Sequence, residues 1–302
     1  MDWNTKYESI LNKVAIDAGE ILKELVITIS PLYRDNSPLP YNIHYPLIQL
    51  YSSLIETAES LVILISFGRI WDSKLLGRMV AEGALKFLYI SKGTDEEMLS
   101  KLNEYFNIIP YINRIKIHNT TRNLIDQDGI EPLKQRALQE ALLSEEEIIR
   151  FKDRHSDKEL NRVNKKWSNN GLLQLLKNEL DFNLYISLIY DYKLSSHISH
   201  LDADLLEQKK EFVDDIDEGL YTKGISLGVS ALANVLVIIL SCTLRFLHFQ
   251  GIDPEFYDEI LTKYHNMIKK LHEVEARAWE TEIEEIYKIV WEFEQNSKAF
   301  SS

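Results

Sequence analysis

Apolar residues recur at helical spacing along nearly the whole chain. Trp3, Tyr7, Ile10, Val14, Ile21 and Leu25 follow intervals of three, four and seven, which predicts an amphipathic helix over 3–29. The segment from Ser30 to Pro46 contains Pro31, Pro38, Pro40 and Pro46, and proline both removes a donor and disfavours helix before it, so an extended connector is expected there. Leu47 to Ile90 predicts two apolar helices that break at Gly68, with Asp72 or Ser73 capping the second. Residues 96–127 predict a helix that Pro110 can interrupt. The highly charged stretch 130–166 predicts an exposed helix or helix pair, with Ser144 and Glu147 spaced as a capping box.

After Trp167 and Gly171 a short apolar helix is expected, then a helix over 182–203. From Ile225 to Leu244 there are 20 residues without a charge, enough to cross a bilayer. Against a membrane span, Ser226, Ser230, Asn234, Ser241, Arg245 and His248 form a polar stripe. A core helix over 220–249 follows, and membrane association is not expected. Asp253 and Pro254 make an N-cap and N1 pair. Beyond them Ile260, Tyr264, Met267, Leu271, Val274 and Ala278, then Ile283, Ile286, Val290 and Phe293, mark a long helix lying along the bundle or along a second subunit.

The expected fold is therefore all-α: a multi-helix bundle with a long C-terminal helix, helices 72–91 and 182–203 adjacent, and 220–249 central. Three segments are expected: an N-terminal arm and connector (1–46), a helical core (47–250) and a C-terminal helix (251–302) that could serve a homo-oligomer or a partner protein.

Composition narrows the function classes. The net charge of −13 argues against a surface built to lie along a phosphate backbone or an anionic membrane, although a local basic groove stays open. A single cysteine, Cys242, permits no disulfide within the chain, and the N-terminus does not read as a signal peptide. A cytoplasmic protein is expected. No Gly-rich phosphate loop is present and no cofactor is expected.

The polar constellations lie on helix faces. Tyr192, Ser196 and His200 share one stripe at i, i+4, i+8, with His197 beside them. Arg78 and Glu82 form an i, i+4 pair amid Leu75, Leu76, Met79, Leu85 and Phe87, which suggests a partly buried pair. Arg114, His118 and Arg122 form a cationic stripe that could meet phosphates but more often is a solvated face. A metal could use His197 and His200 with Glu82, Asp202 or Asp204, although this spacing suits one ion less well than His-x-x-x-His. A metal-independent ribonuclease would use His200 as acid or base, Arg78 on the phosphate and Tyr192 to orient it. The structural alternative is a polar network that fixes helix register.

The motifs LLGRMVAEGALKFLYI, KKWSNNGLLQLL and YDYKLSSHISH together resemble a bacterial all-helical domain-of-unknown-function family over roughly Leu47 to Asp204. The resemblance implies that Arg78, Glu82, Tyr192, Ser196 and His200 converge in space and are the candidate catalytic residues. Such families are similar in general character to HEPN domains and abortive-infection proteins, which implies a defence or toxin effector acting on RNA or a nucleotide. The alternatives are a non-catalytic sensor or scaffold, or a membrane-acting effector using 225–244. Arg150 and His155 match the HEPN spacing, but in a charged segment where such a match carries little weight.

Overall fold

The computed structural model describes residues 3–33, 38–125, 132–140, 142–189 and 218–280, together with 283, 285, 286 and 288–290. Among them there is no strand, in line with the all-α expectation. In chain order the helices are α1 (Trp3–Ile29), α2 (Tyr41–Ser66), α3 (Ile70–Ile90), α4 (Asp95–Asn103), α5 (Ile109–Ile125), α6 (Pro132–Glu140), α7 (Glu145–Lys152), α8 (Asp157–Lys166), α9 (Asn169–Leu176), α10 (Glu218–Phe249) and α11 (Asp258–Glu280). Two compact units result: residues 1–91 with 177–302, and residues 92–176.

In the first unit α10 packs against α1, α2, α3 and α11, and 78% of its most apolar window is buried. Among the described residues two helices, α2 and α10, are long and apolar enough to cross a membrane. In α10 that character is explained by its neighbours: Val229, Leu232, Leu236 and Ile239 are buried because helices surround them. Its polar stripe is partly internal, with Ser226, Ser230 and Asn234 buried and Arg245 donating from Nε and an Nη to Ser91 at the end of α3.

Close approach depends on glycine at two positions. A Cβ on Gly228 would lie 2.8 Å from Leu11 Cδ2, and one on Gly83 would lie 2.5 Å from Leu54 Cδ2. Further along α10 an aromatic cluster fills the core, with Tyr51 stacked on Phe246 at 5.1 Å and its hydroxyl 2.6 Å from Thr243 Oγ1.

Two expectations need correction. Ser30–Tyr33 form a 3-10 turn, and α2 begins at Tyr41 and contains Pro46, so the stretch from Ser30 to Pro46 is not extended throughout. One helical hydrogen bond is lost at Pro46, and burial of Ile43, Leu47 and Tyr51 on the same helix outweighs it. Helix α3 begins at Ile70 with Arg69 at its N-cap, leaving Asp72 inside the first turn while the Ser73 hydroxyl donates to the Ile70 carbonyl. In the N-terminal helix Ile10, Leu11, Val14 and Leu25 are fully buried. Helix α11 packs on α10 and α1, and Lys270 Nζ meets Asp17 Oδ2 at 2.6 Å. The stripe Ile260, Tyr264, Met267, Leu271, Val274, Ala278, Ile283, Ile286 and Val290 is buried, so its spacing is used within the chain.

The second unit is made of shorter helices separated by caps. Thr94 with Glu97 and Ser144 with Glu147 form complete capping boxes, and Ser156 caps α8. These serines convert the expected exposed helix or pair into separate helices α6, α7 and α8. Between α4 and α5 the backbone widens into a π-turn over Glu104–Ile108, where the Ile109 N–H donates to the Glu104 carbonyl. Pro110, which has no N–H for the preceding turn, lies just beyond it. The Glu104 carboxylate accepts from Trp167 Nε1 at 2.7 Å and pairs with Lys166, tying the turn to the end of α8.

Candidate functional site

Of the expected catalytic set, two members lie in described helix. On α3, Arg78 Nε donates to Glu82 Oε1 at 2.8 Å, and the side chains are 24% and 27% exposed. The pair is partly buried, as its apolar neighbours suggested. Tyr192, Ser196 and His200 lie outside the described residues, as do His197, Asp202 and Asp204, so neither the expected convergence nor the expected metal site falls on described structure. Among the described residues no cluster of three metal-ligating side chains occurs.

Arg150 and His155 point to different partners: Arg150 pairs with Glu146 at 3.5 Å, while His155 lies against Phe151 and 3.4 Å from Glu159. They do not form a joint site.

The unit 92–176 contains a cleft of about 510 Å³ between α5, α7 and α8. Its apolar lining is Ile112, Ile115, Ile148 and Leu160; its polar lining is Lys116, His118, Asn119, Arg122, Lys152, Asp157, Asn161 and Asn164. Two turns and more of α5 supply one wall, because residues three and four apart share a helix face. Helix α8 supplies the other through Asp157, Leu160, Asn161 and Asn164, and the Ser156 cap sets where that face begins.

Hydrogen bonds fix part of this lining. His118 is buried, and its Nδ1 accepts the Leu143 backbone N–H at 3.1 Å, which places the ring proton of the neutral form on Nε2. Lys116 Nζ donates to Asn164 Oδ1 at 2.9 Å, bridging the two walls. Among the described residues, Arg122 and Lys152 form no ion pair and both are exposed. Among the described residues Asp157 is the single carboxylate in the lining, set against the cations Lys116, Arg122 and Lys152.

This local balance departs from the rest of the chain. Residues 92–176 hold 14 basic and 14 acidic side chains, so the net charge of −13 resides entirely in the other unit. The α5 stripe seen in the sequence is only partly the cleft: Arg114 instead reaches Glu147 at 3.5 Å, whereas His118 and Arg122 line it. Sequence reasoning missed Lys116, Asn119, Lys152, Asn161 and Asn164. The signal on α5 was legible as the spacing Ile112, Ile115, Asn119 and Arg122, but the contributions of α7 and α8 depend on packing.

The arrangement can hold an anion by its cations while the asparagine amides, each both donor and acceptor, meet a polar group beside it. Fold and site together define an all-helical protein with a polar, locally cationic cleft in its smaller unit. The chain belongs to the DUF5677 family, a family of unknown function, whose model matches residues 44–218, more than half of the chain and the whole of the cleft. No curated protein and no solved structure matches it.

Proposed function

We propose that the protein binds RNA or a nucleotide through the cleft of residues 92–176 and works as a cytoplasmic effector of the defence or toxin type. The observation that carries the binding step is the pair of exposed cations, Arg122 and Lys152, that form no ion pair among the described residues, on a cleft that also presents three asparagines. Cations held close to an apolar floor attract phosphate more strongly than the same charges spread over an open surface. The defence setting rests on the family resemblance alone.

The test is equilibrium binding of fluorescent RNA and nucleotides to the wild type and to the double variant Arg122→Ala/Lys152→Ala. We expect the wild type to bind and the double variant to lose roughly ten-fold or more in affinity. Equal binding by both proteins would remove the cleft from the proposal. Growth arrest and loss of RNA integrity on expression test the effector role, with His200→Gln expected to abolish both while leaving the melting temperature unchanged.

A second reading, the non-catalytic sensor or scaffold, is favoured by the Arg78–Glu82 pair, whose guanidinium and carboxylate meet within α3 itself. Under it wild-type expression is harmless, and His200→Gln merely lowers the melting temperature.

A further inference from the structure

Resting on that reading, we infer that the cleft of residues 92–176 takes a single nucleotide, best a purine monophosphate, in preference to a strand of RNA. Size is the first argument. About 510 Å³ lies in the range of small-molecule sites and accommodates one nucleotide with its phosphate.

The lining chemistry is the second. Non-specific grooves for single-stranded nucleic acid combine a basic track with aromatic side chains on which successive bases stack. Among the described residues no aromatic other than His118 lines this cleft, and His118 is buried with its Nδ1 held by Leu143. Its floor is aliphatic, suited to cover one base face, and no stacking series continues along it. Asn119 and Asn161 carry side-chain amides, the group that pairs bidentately with the N6 and N7 edge of adenine, while Arg122 and Lys152 supply the phosphate contacts.

Charge is the third. A polyanion beyond the cleft meets a unit of zero net charge within a chain of net charge −13, so additional phosphates gain little from leaving solvent. A nucleotide delivers its one phosphate to the local cationic excess without extending further.

The experiment is isothermal titration calorimetry of the full chain with adenosine monophosphate, inorganic phosphate and a single-stranded RNA of about 20 nucleotides, a length that exceeds the site. Adenosine monophosphate is expected to bind one per chain and at least ten-fold tighter than inorganic phosphate; RNA is expected to bind no tighter than the nucleotide. Arg122→Ala should weaken both nucleotide and phosphate, whereas Asn161→Ala should weaken the nucleotide and spare phosphate. Both residues are exposed, so matching melting temperatures will show that the variants are folded.

RNA binding tighter than the nucleotide, and sensitive to Arg122→Ala, would overturn the inference and leave the proposed function standing. Equal affinity for phosphate and nucleotide would overturn base recognition. Binding of no ligand would overturn both the inference and the function on which it rests.

Discussion

The two units solve the packing of helices in different ways. In residues 1–91 with 177–302, long helices surround α10, and the core includes fully buried Tyr51, Phe87, Phe246 and Tyr264. In residues 92–176, the described helices other than α5 are five of eight to ten residues, and serine, threonine and glutamate caps define several of their starts. Short helices have little intrinsic stability, so caps and end contacts matter more there. The first design yields an apolar interior under an acidic surface. The second leaves α5, α7 and α8 splayed around a polar cleft, which is where a ligand can reach cations.

If burial dominates the first unit, Phe246→Ala should produce the largest loss of stability, about 3–5 kcal/mol, because it empties the centre of the Tyr33, Tyr51 and Phe249 cluster. Chemical denaturation followed by circular dichroism measures it. A loss below about 1 kcal/mol would mean that this core collapses around the vacancy and is less tightly packed than the contrast requires.

Tyr264→Phe sharpens the same point with the opposite sign. Among the described residues the buried Tyr264 hydroxyl has no hydrogen-bond partner, and burial pushes its pKa well up. Removing it should stabilise the protein by about 1 kcal/mol, raising the denaturation midpoint. A lower midpoint would indicate that the hydroxyl has a bonded partner such as an internal water.

The smallest effect tests the capped unit. Ser144→Ala should cost about 1 kcal/mol by removing the α7 cap. The Ser144 backbone N–H and, to a smaller extent, its hydroxyl donate to Glu147 and hold that carboxyl below the ordinary value of 4.5, and Ser144→Ala removes only the hydroxyl's share. A carboxyl lowered on folding stabilises above its unfolded pKa, and that contribution is lost as pH falls through the folded value. The difference between wild type and Ser144→Ala should therefore narrow as pH drops below about 4.5. An unchanged difference at acid pH would separate the cap hydroxyl from the Glu147 charge.

The sequence by itself determined the helices and, for α11, the buried face. Every described position of its stripe from Ile260 to Val290 is buried, because a helix repeats its faces at a fixed period and apolar side chains mark the one that leaves water. It also determined the Ser144–Glu147 box and the Asp253 cap, since capping acts across three residues. What surrounds a face is not local. Only tertiary structure decided that the charge-free helix α10 is enclosed by protein helices, that Pro46 is carried inside α2, and that the N-terminal helix belongs to the core. The cleft was equally non-local: His118 and Arg122 were visible as a stripe, but Lys152 and Asn161 join them only because capped turns bring α7 and α8 against α5. Periodicity fixes which way a side chain leaves its own helix, and packing fixes what it meets.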